Sequence, residues 1–273
     1  MWRGKIIIVM LAALCPSTVT GAFERTPADA EAGALAGAGA GRRVAEGRLF
    51  ANPAQLAWVQ GVPFQVTRGS LYGVRSLGWT AAAGGKCLGS GAVCAGLARF
   101  GDDGYREITM GASLGFPCGA TGVGAGFRVQ LAEVMGLGTM WRTVLDLGML
   151  QPVGDSVCLG LVVAGLGAGG DVPENGFAGP RICLGSSIRA GKGIIALVDV
   201  EQGTGEPRRI HFAVESSIGA GAVFRVGRVT EPGEVCGGLG LRKGRMGIDI
   251  SVQWHAVLGF SNRITVAIGL SSP

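Results

Sequence analysis

The sequence predicts an all-β chain: a closed antiparallel transmembrane β-barrel of about twelve to fourteen strands, with fourteen favoured. Three observations predict it. The chain is 48% hydrophobic and only 16% charged, with 51 glycines and a mean hydropathy of +0.40, a composition unlike that of an ordinary soluble domain or a disordered chain. Its apolar residues are dispersed, and no run reaches the roughly 18 residues that a membrane-spanning helix needs. From Val62 onward apolar side chains recur at every second position, the period of strands with one face in lipid and the other toward a polar or small-residue interior.

The first element reads as a leader. Arg3 and Lys5 form a basic start, Ile6 to Leu14 an apolar stretch, and Thr20-Gly21-Ala22 a small-residue cleavage site. Residues 1–22 are therefore expected to be a cleavable signal peptide that addresses the chain to the outer membrane. Cys15 follows Leu14 rather than a small residue, which argues against lipid attachment. Residues 23–61 follow as a second unit. From Pro27 to Ala57 the chain is rich in Ala and Gly with no period of two, so it reads as short helices and loops placed to plug the lumen. Residues 62–273 form the barrel.

Within the barrel three segments define the two faces. Ile108, Met110, Ala112, Leu114 and Phe116 alternate with Glu107, Thr109, Gly111, Ser113 and Gly115. Met246, Ile248, Ile250, Val252 and Trp254 alternate with Arg245, Gly247, Asp249, Ser251, Gln253 and His255, and Ile264, Val266, Ile268 and Leu270 with Arg263, Thr265, Ala267 and Gly269. Similar runs are Val62–Arg68, Ser70–Ala82, Leu88–Arg99, Gly122–Glu133, Thr143–Gln151, Val157–Leu166, Arg181–Arg189, Gly193–Glu201, Arg208–Ile218, Ala222–Val229 and Val235–Leu241. Turn clusters such as Gly101-Asp102-Asp103-Gly104 and Glu231-Pro232-Gly233-Glu234 separate them. Backbone groups in lipid must all be bonded, so the set is expected to close on itself. The stretch from Gly167 to Pro180 reads as a longer loop over one mouth. Trp79, Tyr105, Phe116, Trp141, Trp254 and Phe260 fall near strand ends, as interface anchors do.

The charges exclude one class of partner. The formal charge of +5 falls by two, to +3, when Arg3 and Lys5 leave with the signal, and the basic residues are scattered, so no nucleic-acid partner is expected. Cys87, Cys94, Cys118, Cys158, Cys183 and Cys236 lie in apolar strand contexts without C-x-x-C spacing, and read as small fillers ahead of disulfides or metal ligands. Gly111-Ala112-Ser113-Leu114-Gly115 matches G-x-S-x-G, with His211 and His255 as the available bases. An elbow needs a strand-to-helix turn, whereas Ser113 sits inside an alternating strand. No enzyme, cofactor or metal is expected. The lumen candidates are the polar residues opposite the apolar ones: Glu107, Arg128, Gln130, Asp146, Arg189, His211, Glu215, Arg225, Asp249 and His255. An Arg facing lipid at mid-bilayer would cost about 2 to 4 kcal/mol, which places such residues inside.

The order of these features resembles the FadL/PorV superfamily of outer-membrane proteins. The resemblance rests on the signal, the small-residue stretch, Asn52-Pro53-Ala54 with Leu56 behind it, and a meander containing Leu145-Asp146-Leu147-Gly148. It implies a fourteen-stranded barrel with outer-membrane lipid around it. It also implies one of two roles: passive uptake of hydrophobic small molecules such as long-chain fatty acids, or a scaffold that binds secretion or surface proteins. A soluble periplasmic β-protein with a hydrolase site is the third alternative. Two departures bear on the roles. The mature chain, about 250 residues, leaves little length for large external loops, and Ala267 to Pro273 lacks the terminal aromatic on which many barrels end.

Overall fold

The computed structural model describes residues 23, 28–44, 52–171, 178–219 and 221–269. The expected signal peptide lies outside the described residues apart from its boundary at Phe23. The barrel consists of fourteen antiparallel strands. The first half comprises β1 (Phe64–Ser70), β2 (Gly78–Leu88), β3 (Gly91–Gly101), β4 (Tyr105–Cys118), β5 (Thr121–Val134), β6 (Gly138–Val153) and β7 (Val157–Asp171). The second comprises β8 (Arg181–Arg189), β9 (Ile194–Gly203), β10 (Arg209–Ile218), β11 (Ala222–Val229), β12 (Val235–Lys243), β13 (Met246–His255) and β14 (Gly259–Ile268). Each pairs with its chain neighbours, and β14 returns to β1 with Phe64 opposite Ile268 and Ser70 opposite Asn262. Closure leaves no edge strand, as a wall in hydrocarbon requires.

The alternation sorts side chains as a barrel demands. Along β13, Gly247, Asp249, Ser251 and Gln253 are buried while Met246, Ile248, Ile250, Val252 and Trp254 are exposed on the outer wall. The same holds on β14, where Ser261, Arg263, Thr265 and Ala267 are buried. The outer face is thus an apolar belt, and the polar set points in.

One end of the barrel is closed by tight turns and the other by connections such as 71–77 and 230–234. At the tight-turn end Gly119 and Gly244 adopt φ of 61° and 55°, a conformation that side chains with a Cβ resist. Three sequence expectations shift. Ser70–Ala82 is not one strand: Tyr72 and Gly73 have positive φ, Arg75–Leu77 is a 3-10 turn, and the strand itself starts at Gly78. The expected loop from Gly167 is strand as far as Asp171, because β7 extends along β6. Among the aromatics, Phe116, Trp141, Trp254 and Phe260 project outward, but Trp79 and Tyr105 turn inward, where Trp79 Nε1 donates to Ala28 O at 3.4 Å and Tyr105 Oη to Glu107 at 2.6 Å.

Residues 28–44 and 52–58 lie inside the ring. Helix α1 (Ala30–Ala34) is capped by Asp29, whose carboxylate accepts from Ala32 N at 2.7 Å, and it packs on β11 to β14. The 3-10 helix Pro53–Trp58 is capped by Asn52 and packs on β3 to β6. Between segment and wall lie small apolar clusters: Leu56 with Ala83, Ala92 and Cys94, and Leu35 with Ala38, Leu197 and Ala213. Leu35 and Leu56 are each 1% exposed, so burying each contributes about 1.5 to 3 kcal/mol to holding the segment against the wall. All six described cysteines are free thiols: Cys94, Cys158, Cys183 and Cys236 buried, Cys87 and Cys118 exposed.

Candidate functional site: the lumen

The inner segment reaches the wall because the wall offers glycine. A Cβ added at Gly160 on β7 would overlap the carbonyl of Ala40 and lie 2.6 Å from Gly41 Cα. One at Gly124 on β5 would overlap Pro53 and lie 2.6 Å from Ala54 N, and one at Gly238 on β12 would meet Ala34 Cβ at 2.5 Å. An approach this close to the wall is open only to glycine. Polar bonds then fix the position. Asp199 on β9 accepts from Gly39 N at 2.7 Å and Ala40 N at 2.8 Å, and Ser187 on β8 donates to Gly41 O at 2.8 Å. Asn52 Nδ2 donates to Ala40 O at 2.7 Å and Met149 O at 3.2 Å, while its Oδ1 accepts from Ala54 N at 3.0 Å.

Two groups of charge divide the lumen along its axis. Toward the tight-turn end, Arg225 on β11 bonds Glu215 (2.6 Å), Asp249 (2.7 Å) and Glu31 of α1 (2.8 Å). Arg42 of the inner segment bonds Glu215 at 2.7 Å and also Glu31, and Arg242 on β12 bonds Asp249 at 2.7 Å. Three arginines thus face three carboxylates, and the network is electroneutral when all are ionised. Neutrality matters because an uncompensated charge at this depth would lose its hydration without recovering it.

Toward the loop end the lumen widens into a cavity of about 270 Å³ above α1. Trp79, Ala98, Val162, Ala164 and Val229 give it apolar walls, and Glu107, Arg128, Gln130, Asp146, Arg181 and His211 polar ones. Asp146 sits at a bulge where the register of β6 against β7 slips between Leu145 and Leu147. The slip frees Gly165 N to donate to Asp146 at 2.8 Å, and Arg128 donates to the same oxygen at 2.6 Å. Gln130 accepts from Arg142 Nε at 2.8 Å, and Glu107 accepts from Phe23 N at 3.0 Å. His211 Nδ1 lies 2.7 Å from Ala36 O; a carbonyl only accepts, so Nδ1 carries the proton.

The predicted site residues therefore fall into three places. Glu107, Arg128, Gln130, Asp146 and His211 line the cavity, whereas Glu215, Arg225 and Asp249 form the network beneath it. Arg189 and His255 stand at the two rims. Arg189 is exposed at the tight-turn end of β8, and His255 at the loop end accepts from Val257 N and Leu258 N, each at 3.1 Å, with its ring edge-on to Tyr72 at 6.1 Å. Glu31, Arg42, Asp199 and Arg242 are additional members. Asp199 and Arg242 share the inward parity of their strands and were findable by it, but nothing periodic marks Glu31 or Arg42. Ser113 lies in mid-β4, paired with Cys94 and Gly126 on either side, so the G-x-S-x-G match has no elbow.

No protein-family model and no curated protein matches the sequence. Solved structures do share the fold. The CymD monoaromatic hydrocarbon channel superposes with a TM-score of 0.64 at 12% identity, covering 90% of this chain and 97% of that one. A FadL homologue of Pseudomonas aeruginosa gives 0.63 at 11% identity, covering 92% and 100%. The toluene transporter TodX of P. putida gives 0.59 at 11%, covering 88% and 96%. The chain has the closed fourteen-strand barrel of FadL-type channels; identities near one in ten carry the fold and nothing finer.

Proposed function

We propose that the protein is an exported outer-membrane channel for the passive passage of hydrophobic small molecules, with long-chain fatty acids as the first class to test. The observation that carries this reading is the cavity of about 270 Å³ that opens at the loop end and ends on the inner segment. A site of that size suits a small ligand, and its apolar walls, Trp79, Val162 and Val229 among them, favour an apolar body. The inner segment acts as the plug, and passage needs its movement away from the glycine seats; no chemistry and no cofactor enter. Lumen polar residues such as Arg128 and Asp146 serve to keep the wall wet enough for the segment to leave. The test is uptake by proteoliposomes of a fluorescent fatty acid and of an uncharged aromatic hydrocarbon. Acceleration of either over empty liposomes is the expected result; rates equal to empty liposomes for both would refute it.

A second reading, a scaffold barrel for secretion or surface proteins, is favoured by one observation: the inner segment is tied to the wall by Arg42, Asp199 and Asn52 at once. Affinity purification from membranes separates the two. Stoichiometric recovery of secretion partners supports the scaffold, and recovery of the barrel alone opposes it.

A further inference from the structure

The two rims carry different charge. At the loop end cations and carboxylates are interleaved: Arg106 pairs with Glu133, Arg209 with Glu206 at 3.0 Å, and Arg99 approaches Asp103 at 3.9 Å. At the tight-turn end Lys86, Arg189, Lys192, Lys243 and Arg245 are all exposed. Among the described residues none of these five has an ion-pair partner, and Asp155 is the one carboxylate in the turns of that rim. Lys86 and Lys243 also point outward: β2 buries Ala81 and Ala83, β12 buries Cys236 and Gly240, and these lysines have the opposite parity. Beside them Leu88, Leu241 and Met246 end the apolar belt, each more than half exposed.

We propose that this rim binds the headgroups of anionic phospholipid and selects them over zwitterionic ones through Lys86, Lys243 and Arg245. Side chains flanking an apolar belt stand at headgroup depth, and long basic ones reach the phosphates from there. Each basic residue near an anionic surface favours it roughly fivefold. Short turns are the periplasmic end of such barrels, so the rim meets the phospholipid leaflet. An acidic soluble protein could reach the turns but not Lys86 and Lys243 at the edge of the belt, which is why lipid is the occupant the geometry favours.

The inference rests on the membrane reading above, and one experiment tests both separately. The full chain is placed in nanodiscs of equal phosphatidylglycerol and phosphatidylcholine, and the lipids that it retains on extraction are counted by native mass spectrometry. Phosphatidylglycerol retained in at least about fivefold excess, the effect of a single such residue, is expected. The variant Lys86→Gln/Lys243→Gln/Arg245→Gln should fall to near parity while keeping its heat-dependent gel mobility, and Lys86→Arg/Lys243→Arg/Arg245→Lys should keep the preference. Loop-end Arg68→Gln/Arg99→Gln should keep it too. Parity in the parent, or a preference that survives in the Gln variant, overturns the lipid assignment. A parent that retains neither lipid and shows no heat-dependent mobility overturns the membrane reading itself.

Discussion

Replacing Gly160 by Ala adds one methyl group where the inner segment has no room for it. The new Cβ would overlap the Ala40 carbonyl and stand 2.6 Å from Gly41 Cα, all backbone atoms, so no side-chain rotation relieves the clash and residues 39–41 must retreat. Four of the bonds that depend on their position are those of Gly39 N and Ala40 N to Asp199, of Asn52 Nδ2 to Ala40 O, and of Ser187 to Gly41 O. The two to the carboxylate are worth about 1.5 kcal/mol each and the neutral ones about 1 each, so losing all four costs about 5 kcal/mol. Losing half of that lowers the ratio of docked to undocked segment about seventyfold. The barrel ladder has no reason to fail, since Gly160 faces inward and keeps its pairing with Leu150 and Gly185. Planar-bilayer conductance should therefore rise, and trypsin should cut at Arg42 and Arg43, with heat-dependent gel mobility unchanged. Gly167→Ala is the control, because nothing stands within 4 Å of its Cβ. If Gly160→Ala matched the parent in both conductance and protease resistance, the seat would not hold the segment and its role as plug would fall.

Other perturbations reach other parts of the argument. Arg225→Met leaves Glu31, Glu215 and Asp249 facing two arginines, so urea unfolding should show a loss of about 3 to 5 kcal/mol, and Glu31→Gln in the same chain should recover part of it by restoring neutrality. Ile250, 49% exposed at the middle of β13, faces the belt, and Ile250→Arg should cost about 2 to 4 kcal/mol in lipid but far less in a soluble denaturation reference. Burial raises the carboxyl pKa of Glu234, in the connection before β12. A raised pKa means that the unfolded chain gives up this proton first, so stability falls as pH climbs through the window above the usual carboxylate value. Glu234→Gln should remove that fall; a parent and variant with parallel pH profiles would refute the assignment.

Much of the wall was readable because period two leaves little choice. Once Met246, Ile248 and Ile250 face lipid, Asp249 and Ser251 face the lumen, and a one-residue slip would put every apolar side chain inside. The second strand was harder, since Leu71, Leu77, Trp79 and Ala81 share one parity through a stretch that turns at Tyr72. Aromatics mislead for another reason: position near a strand end does not tell which face Trp79 or Tyr105 takes, whereas parity does, since Tyr105 shares the face of Glu107 and Trp79 that of Ala81. Of the partners of Arg225, Glu215 and Asp249 shared its inward parity and stood among the candidates, but Glu31 was out of reach. Glu31 lies 194 residues away in a segment without any period, and its place is set by tertiary packing on glycines. The abundance of glycine was plain in the composition, but which glycines act as seats depends on where the inner backbone passes.

The closing pair β1 and β14 has a further consequence, for the order of assembly. Every other pairing joins strands consecutive in the chain, whereas this one bridges the whole length, with Thr67 and Thr265 sharing a hydroxyl bond of 2.8 Å across 198 residues. Closing so long a loop is the slow, entropically costly step. The same Thr265 hydroxyl accepts from Ala30 N at 2.9 Å, so helix α1, which also packs on β11 to β13, gains the last part of its seat only when β14 arrives. A nascent chain stalled before residue 259 would thus hold that helix against β11 to β13 with Ala30 N deprived of the Thr265 hydroxyl, its berth open on the side where the ring has yet to close.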